Sequence, residues 1–571
     1  MTASARPRLG RLFPTSESRA FLRWGVGTYV VVTAVLLATS LRASRGTLIY
    51  ALDDPAIHLS LATNLVEHGT WGVSPGAFQS ASSSPLWTVL LGAVVTAFPF
   101  AADAAALILN VAAALVVIAV FARTQSVLHP SLKRPLDAAA VVALVTVVLF
   151  LPGATFVGME HLLHTALVLV AFILLFRDVG PGRSRWRRAL PYLCIALATF
   201  TRMETAFLAV GVAAAVLLTV DRSGPDLIGR LKEQLPRVVG LGLASGIPVA
   251  AFAAFNRAMG QGWLPNSVIA KSESLNGENS DSPVVPDLAD ILGRFTQDPV
   301  LALVVGLCLV LLVVGWTDRR GWVAPAIAVA STTLLHVTFA DVGWFERYQI
   351  YLIALALSVL LLAARDLTAE RGPWHLRPRL LPALVLMVLL FSTTKVALTV
   401  EVPHAVEDTY AQRYQAALFL DRYYGGEPIA TGELGYISLE HDGPLTDLFG
   451  LGDYAVLQGR RATPLAARDE YWAKLAQERG FAVAAVYPTT LLFETPEEWT
   501  LVGTWELERE PITAFDRKFQ FWATRPEEVA PLIEHLREFE SELPDVVDPS
   551  INDLAQLRAD QMISEAADGP P

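Results

Sequence analysis

Long apolar blocks alternate with short polar segments over the first 398 residues, and a more polar segment follows them. A membrane-spanning helix needs about 20 predominantly apolar residues. The longer blocks therefore predict eleven spans, at residues 22–42, 102–122, 136–152, 158–176, 188–202, 205–220, 236–256, 299–316, 322–339, 347–364 and 379–398. A further apolar stretch at 85–98 is shorter, and the count alone does not decide whether it crosses the membrane.

The basic residues decide the direction of the spans, because Lys and Arg favour cytoplasmic loops. If residues 85–98 do not cross, the loops predicted inside carry 22 Lys and Arg, and those outside carry 7, when the residues at the bordering ends of the spans are included. If they did cross, every later basic cluster would move outside. We therefore predict a re-entrant or interfacial helix at 85–98 within a long first outer loop, residues 43–101. The N-terminus is then inside and the C-terminal domain outside.

The composition agrees with a membrane protein, with 53% hydrophobic residues, 17% charged residues and a mean hydropathy of +0.44. Soluble domains average about 25% charged residues. The net charge of −11 comes mostly from the C-terminal segment, and no basic run interleaved with aromatic residues indicates nucleic-acid binding. Cys194 and Cys308 both fall in apolar segments, which argues against a disulfide framework or a thiolate metal site. The first apolar block is too long for a typical signal peptide, so we interpret it as a retained span.

The segment after residue 398 has the pattern of an α/β domain, which we place at 399–543. Apolar runs predict strands at 428–430, 481–487, 501–505 and 519–522, and helical periodicity covers 407–423, 467–479 and 527–541. The remaining residues, 544–571, are acidic and are expected to form a flexible tail.

Unusual polar patches all fall on the predicted outer side of the membrane. Charged residues at the edges of spans are expensive and often mark function. The patches are Asp53-Asp54 in the first outer loop, Glu160-His161 in the second, Arg202 to Glu204 in the third, Asn266 with Lys271 in the fourth, and Asp341 with Arg347-Tyr348 in the fifth. Five patches from distant parts of the chain on one side predict one composite site.

Each patch alone also has a structural explanation. An Asp pair in a loop is often a solvated turn or a helix cap. Arg202 and Glu204 can pair at the membrane edge, and Arg347 at the start of a helix can extend its side chain to the interface. The histidines have no compelling spacing for a metal site, although a divalent cation at the outer face stays open.

The ordered series of motifs resembles a known superfamily. An acidic pair follows the first span in Leu52-Asp53-Asp54-Pro55, and a Ser-rich approach leads to Pro85-Leu86-Trp87 and a non-crossing helix. This arrangement resembles the GT-C superfamily of membrane glycosyltransferases, which use polyprenyl-phosphate-linked sugars. The later motifs extend the likeness over residues 45–455: Gly158-Met159-Glu160, Thr201 to Glu204, Leu264 to Ser267, Asp341 with Arg347-Tyr348, Gly432 to Tyr436, and Asp447 to Asp453. The series is similar to the bacterial terminal arabinofuranosyltransferases of cell-wall synthesis.

The resemblance implies an inverting transfer of a sugar, with an arabinofuranose-like pentose favoured. The partners would be a polyprenyl-phosphate donor, a cell-envelope glycan or glycolipid acceptor, and membrane lipid. Asp53 would be the general base that takes the acceptor proton, and Asp54 would orient it or bind the acceptor or a metal. The candidate donor-binding residues are Glu160, Arg202, Glu204, Asn266, Lys271, Asp341, Arg347 and Tyr348. Among them, Arg202, Lys271 and Arg347 would stabilise the departing phosphate.

Two other functions remain open from the sequence. A transporter or flippase of a lipid-linked sugar would explain many spans with charges, but it would predict inverted repeats and broken helices at the bilayer centre. We find no convincing internal repeat, and the charges favour the outer ends of the spans. A non-catalytic assembly subunit is the third possibility, and Asp53 argues against it only modestly.

Overall fold

A computed structural model describes residues 16–128, 145–176, 184–220, 226–270, 288–316, 320–369, 381–491 and 495–559. Helices dominate as far as residue 424, and a six-stranded sheet with flanking helices follows. The expected combination of a helical apolar part with a C-terminal α/β domain is therefore confirmed. The candidate site residue Lys271 lies outside the described residues, as do parts of the predicted spans at 136–152 and 379–398.

Most helices coincide with the apolar blocks of the sequence. In chain order they are α1 (Ser16–Ala43), α2 (Asp54–His68), α3 (Pro85–Ala97), α4 (Ala105–Leu128), α5 (Leu151–Val157), α6 (His161–Phe176), α7 (Arg185–Thr201), α8 (Thr205–Leu218), α9 (Leu227–Ala258), α10 (Leu288–Gln297), α11 (Pro299–Trp316), α12 (Val323–Phe339), α13 (Ile350–Ala369), α14 (Leu381–Phe391), α15 (Thr393–Asp408), α16 (Gln415–Tyr424), α17 (Gly435–Glu440), α18 (Tyr454–Ala462), α19 (Arg468–Arg479) and α20 (Val529–Phe539).

Four of these helices are long and apolar enough to cross a membrane by length and composition. They lie at Phe21–Ala43, Ala105–Arg123, Leu227–Ala258 and Pro299–Trp316. Other apolar helices, including α6, α8 and α12, are shorter. The predicted total of eleven spans and their direction therefore stay predictions.

The two helices of the first outer loop pack on each other and differ in character. Helix α2 is buried on all sides from Pro55 to Ala62, including Ile57 and Leu61. Helix α3 has 13 residues, which at 1.5 Å per residue gives about 20 Å. A bilayer core is about 30 Å thick, so α3 is too short to span one unless it is extended. Helix α8, within the predicted span 205–220, has only 14 residues, so the interpretation of 85–98 as a helix that does not cross stays a prediction.

The C-terminal domain is built on a mixed sheet with strand order β2-β1-β3-β5-β4-β6. The strands are β1 (Ile429–Thr431), β2 (Leu445–Asp447), β3 (Val483–Val486), β4 (Thr500–Leu507), β5 (Lys518–Ala523) and β6 (Val547–Ile551). Strands β2, β1 and β3 are parallel, and β5, β4 and β6 continue the sheet in antiparallel pairs. Apolar clusters flank the sheet, one with Trp472 of α19 and another with Phe419 of α16 and Phe539 of α20.

Two boundaries differ from the sequence expectation. The last predicted span ends at 398, but α15 continues to Asp408 and is followed directly by a π-helical turn, Thr409–Tyr414, and by α16. A polar sequence does not end a helix when its backbone hydrogen bonds continue, so the apolar boundary and the helix boundary need not agree. The segment expected to be a flexible tail from residue 544 contains β6, which pairs with β4 at the edge of the sheet.

Candidate active site

The carboxylate of Asp53, just before α2, is bound by the C-terminal domain. Its Oδ2 accepts a hydrogen bond from the backbone N–H of Gly435 at 2.6 Å, and its Oδ1 accepts one from Tyr436 at 3.0 Å. A Cβ at position 435 would lie 2.3 Å from Cγ of Asp53, so this close approach requires glycine. The first-loop acid and the predicted Gly432–Tyr436 motif are thus in direct contact.

A second buried carboxylate and an arginine complete this contact between the domains. Arg413 Nε donates to Glu433 Oε2 at 2.6 Å, and both side chains are buried. Burial raises the pKa of Glu433 to about 7; Arg413 opposes this rise and Asp53 adds to it. Burial also raises the pKa of Asp53, against the opposing effects of Arg413 and of the two amide donors. Two carboxylates sharing one guanidinium therefore raise the affinity of this interface for a proton.

Asp54, the next residue, faces Arg347 instead. Arg347 Nη2 donates to Asp54 Oδ2 at 2.5 Å and to the hydroxyl of Tyr348 at 3.1 Å. The Arg347 side chain is 1% exposed, whereas that of Asp54 is 26% exposed. Among the described residues, Arg347 Nε and Nη1 are buried without a hydrogen-bond partner. A buried guanidinium with unsatisfied donors is costly unless an acceptor binds there, and a phosphate presents the matching oxygens.

Arg202, which follows α7, lies between two carboxylates. Its Nη1 donates to Glu160 Oε1 at 2.7 Å, and its Nη2 pairs with Glu204. The guanidinium carbon also lies 5.2 Å from the centroid of the Tyr348 ring, and Arg347 lies 5.0 Å from the same centroid. Two carboxylates already compensate the charge of Arg202, so Arg347 is the better placed cation for an incoming anion.

A left-handed turn delivers Arg347 to this cluster. Gly343, Trp344, Phe345 and Glu346 all have positive φ, of 94°, 43°, 59° and 61°. The N–H of Arg347 closes the turn on the carbonyl of Gly343 at 3.2 Å. Left-handed helical backbone costs roughly 1–2 kcal/mol for each non-glycine residue. Such strain persists only where neighbouring structure enforces it, and it often occurs at functional sites.

The structure thus brings together most of the residues predicted as one composite site. Asp54, Glu160, Arg202, Glu204, Arg347 and Tyr348 form one continuous cluster, and Asp53 adjoins it through Asp54. These residues lie at the ends of α6, α7, α8 and α13 or at the start of α2. The patches meet because each of them terminates a helix on the same side of the bundle.

Two predicted site residues make other contacts, and one is not described. The N–H of Asn266 donates to the carbonyl of Ser80, and its side-chain amide contacts Gln261 at 3.4 Å. Asp341 accepts the N–H of Val342 with its own Oδ1. Lys271 lies outside the described residues. The fourth patch therefore supports the first loop and has no shown contact with the polar cluster.

Sequence reasoning missed four buried charged residues that support the site: Asp298, Glu346, Lys395 and Arg413. Glu346 directly precedes Arg347 in the fifth polar patch, so the sequence could have indicated that Glu346 belongs to the site. Lys395 is a cation inside the predicted span 379–398, which is itself a mark of function. Arg413 lies in an ordinary amphipathic helix pattern, where the sequence gives no indication of burial.

A cavity of about 570 Å³ lies between residues 74–79 and the C-terminal domain. Its lining residue Gly452 approaches Leu434, the neighbour of the Gly435 that binds Asp53, so the cavity lies on the Asp53 side of the polar cluster. Phe78 and Gln79 line it from the first loop, and Asp442, Tyr454 and Arg479 line it from the domain. None of the clustered charged residues lines this cavity. The cavity and the charge cluster are therefore neighbouring features that different parts of a ligand set can use.

Among the described residues, no group of three or more His, Cys, Asp or Glu side chains is arranged to hold a metal ion. The nearest approach to one is the Glu160 and Glu204 pair, and Arg202 occupies the space between these carboxylates.

The sequence comparisons match only the C-terminal domain. Residues 404–523 match a family described as a domain of unknown function, DUF8728. Among curated proteins, none matches the chain significantly.

Solved membrane-enzyme structures show a weak overall likeness. ArnT from Cupriavidus metallidurans bound to undecaprenyl phosphate is 14% identical and aligns over 87% of this chain and 98% of its own, with a TM-score of 0.46. The same protein in the apo state is 13% identical over the same shares, with a TM-score of 0.48. The archaeal oligosaccharyltransferase AglB from Archaeoglobus fulgidus, in complex with an inhibitory peptide and a dolichol-phosphate, is 12% identical over 93% of this chain and 77% of its own, with a TM-score of 0.46. Scores below 0.5 at these identities do not by themselves establish a shared fold.

Proposed function

We propose that this protein is a GT-C-type inverting glycosyltransferase of the plasma membrane. It moves a sugar from a polyprenyl-phosphate donor to a cell-envelope glycan or glycolipid. The polar cluster and the C-terminal domain lie on the outer face. An arabinofuranose-like pentose is the favoured donor sugar, a preference that rests on the resemblance of the ordered motifs. A divalent cation is not required by this proposal.

The observation that carries the proposal is the state of Arg347. Its guanidinium is buried, has two donor nitrogens, Nε and Nη1, without a partner in the described part of the chain, and sits against a carboxylate and a phenol. A lipid phosphate bound there would satisfy the free donors in the planar fork geometry that Arg offers. The same charge would stabilise the phosphate as the bond to the sugar breaks.

The base is the second element of the proposal, and the geometry favours Asp54 over Asp53. A base must first reach the proton that it takes, and its pKa matters after that. Both oxygens of Asp53 already accept backbone N–H groups, whereas Asp54 keeps part of its side chain exposed. Asp53 then acts by fixing the start of α2 against the C-terminal domain.

The transfer is a single displacement. The acceptor hydroxyl gives its proton to Asp54 while its oxygen bonds to the anomeric carbon. The bond from that carbon to the phosphate oxygen breaks, and the polyprenyl phosphate leaves with the electron pair, held by Arg347. When the donor phosphate engages Arg347, the ion pair of Arg347 with Asp54 weakens, and Asp54 becomes a stronger base.

The cavity beside the cluster is the proposed place for the acceptor. Its aromatic residues, Phe78 and Tyr454, offer apolar ring faces, and Asp442, Gln79 and Arg479 offer hydrogen-bonding groups. Pockets of this size with a few polar groups suit small ligands or a short segment of a longer chain.

The decisive experiment uses purified protein with a panel of polyprenyl-phosphate sugars and glycan acceptors. We expect an inverted product whose formation requires Asp54 and Arg347. Reconstituted vesicles are assayed in parallel for movement of the lipid-linked sugar between leaflets. Movement of the lipid-linked sugar between leaflets without formation of a product would contradict the transferase proposal and indicate a flippase.

A further inference from the structure

A buried cluster of four side chains lies directly behind the left-handed turn that presents Arg347. We refer to Asp298, Glu346, Gln349 and Lys395 as the turn anchor. Lys395 Nζ donates to Asp298 Oδ2 at 2.7 Å and to Glu346 Oε2, and the Lys395 side chain is 1% exposed. Gln349 Nε2 donates to the same two oxygens, at 2.9 Å to Asp298 and 2.6 Å to Glu346.

The turn anchor joins parts of the chain that are far apart in sequence. Asp298 Oδ1 accepts the N–H groups of Val300 and Leu301 at the start of α11. Lys395 lies in the first turn of α15, and Gln349 directly precedes α13. Three helix starts are therefore fixed to one another around the carboxylate of Glu346.

The contacts of the turn anchor hold the turn at both of its ends. Gln349 Oε1 accepts the N–H of Gly343, the first residue of the turn, at 3.0 Å. Glu346, its last residue, is held by Lys395 and Gln349. Trp344, between them, stacks on Phe515 of the C-terminal domain with a centroid separation of 5.5 Å.

The contacts of the turn anchor restrain a strained backbone as well as contributing to stability. Trp344, Phe345 and Glu346 all adopt left-handed φ values that side-chain-bearing residues avoid. Without an external restraint this segment would relax toward ordinary backbone, and the guanidinium of Arg347 would leave its position against Asp54. The apparent affinity of a ligand that needs the strained form falls by the same factor as the fraction of molecules that hold that form.

We propose that Lys395 and Asp298, acting through Glu346, are positioning residues that keep the left-handed turn in place and so present Arg347 to the phosphate of the lipid donor. This inference rests on the proposed function, since it assumes that Arg347 receives a polyprenyl phosphate. Neither positioning residue touches the donor. Their effect passes through backbone geometry alone.

Two matched double variants test the proposal, because they carry the same charges and differ only at position 346, where glycine tolerates left-handed backbone and glutamine does not. The first is Lys395→Met with Glu346→Gln, and the second is Lys395→Met with Glu346→Gly. Both variants remove the pair of Lys395 with Glu346 and leave Asp298 without its cation, so this cost is common to the two. Glycine adopts positive φ without a steric penalty. The exposed ion-pair variant Arg422→Met serves as the control for loss of a cation elsewhere.

Binding of undecaprenyl phosphate to the purified full-length chain is the first readout. We expect affinity to fall by about tenfold in the Gln variant, as when about a tenth of the molecules hold the turn, and to return most of the way in the Gly variant. Equal affinities in the wild type and both variants would overturn the proposal. If the wild type itself binds no undecaprenyl phosphate, the proposed function fails instead.

Hydrogen exchange of residues 343–349 is the second readout, and it does not depend on any ligand. The N–H of Gly343 donates to Oε1 of Gln349, and the N–H of Arg347 donates to the carbonyl of Gly343. We expect their protection to drop in the Gln variant while protection of α11 and α15 persists. Unchanged protection at these two amides would refute the positioning role even if binding changed.

Discussion

Asp53 and Gly435 are separated by 382 residues, yet the N–H of Gly435 donates to Oδ2 of Asp53 at 2.6 Å. The segment that leads into α2 and the C-terminal domain therefore share one polar interface. Tyr436 strengthens it twice, since its N–H reaches Oδ1 of Asp53 and its hydroxyl accepts the N–H of Tyr50. The C-terminal domain is thus part of the structural support of the acidic pair.

The roles of Asp53 and Asp54 can be distinguished by two substitutions that preserve side-chain size. We expect Asp54→Asn to lower turnover by about two to four orders of magnitude, the range for loss of a general base, while donor binding survives. Asp53→Asn places an amide against a backbone N–H donor, which costs on the order of 1–3 kcal/mol, so it should mainly lower the thermal midpoint. Single-turnover rates and thermal unfolding of both variants check this. The reverse pattern would return the base to Asp53.

Arg347 can be tested through charge and geometry independently. Arg347→Lys keeps the positive charge and loses the planar fork. We expect turnover to fall about 10- to 100-fold, the equivalent of one or two charge-assisted hydrogen bonds, and Arg347→Ala should also weaken donor binding. Direct binding of polyprenyl phosphate and steady-state rates are the measurements, with exposed Arg187→Lys as the control. If Arg347→Ala bound the donor with wild-type affinity, Arg347 would not be the residue that binds the donor phosphate.

Tyr454 tests the proposed acceptor cavity. Its ring lies on the cavity wall and contacts the region of Gly262. Loss of an aromatic contact is worth about 0.5–1.5 kcal/mol, so Tyr454→Ala should raise the KM for acceptor about 3- to 10-fold without changing donor binding. Leu465→Ala, an exposed substitution on the same domain, is the control. A change in donor affinity alone would place the acceptor elsewhere.

The raised pKa of Glu433 predicts a pH dependence of stability. Its ordinary value is 4.5, and burial raises the pKa to about 7. Between these values the folded protein holds the proton more strongly than the unfolded chain, so stability is highest below about pH 4.5 and falls as the pH rises to about 7. The loss is on the order of 3 kcal/mol. Glu433→Gln should flatten this slope in thermal unfolding, whereas exposed Glu478→Gln should not. An unchanged slope in Glu433→Gln would exclude this group as the cause.

The predicted orientation can be tested by thiol labelling of intact cells with an impermeant reagent. Cysteines introduced at Ala77 and Asp442 should be labelled, and those introduced at Ser184 and Gly321 should not. All four positions are exposed, and the native Cys194 and Cys308 are buried. Labelling of the second pair alone would invert the topology and move the cluster to the cytoplasmic side.

The sequence predicted the helical blocks well because span-length apolar runs leave the chain few alternatives. It also predicted that the charged patches would meet, because the basic residues assigned them all to one side of the helices. Strands β2 and β6 were missed. The first has only three residues, and the second lies at the sheet edge with an acidic, polar sequence, so neither has the alternation that marks a strand.

The sequence did not predict which partner each residue of the site contacts. Nothing in the pair Asp53-Asp54 distinguishes the residue that binds the C-terminal domain from the one that faces Arg347. That difference arises from the direction of the chain entering α2. The left-handed turn was equally hidden, because Trp344, Phe345 and Glu346 have no preference for positive φ. Tertiary contacts imposed both features.

The π-helical turn Thr409–Tyr414 sets the rotation of α16 and the rest of the C-terminal domain about the helix axis relative to α15. A π turn holds one more residue than an α turn, and one residue corresponds to about 100° of rotation around a helix axis. That extra residue turns Arg413 toward Glu433 and Gln412 toward the carbonyl of Arg517. Shortening the turn by one residue would leave every helix intact but point these side chains away from their partners. The one extra residue in this helical turn thus sets the angle between the sheet and the acidic pair.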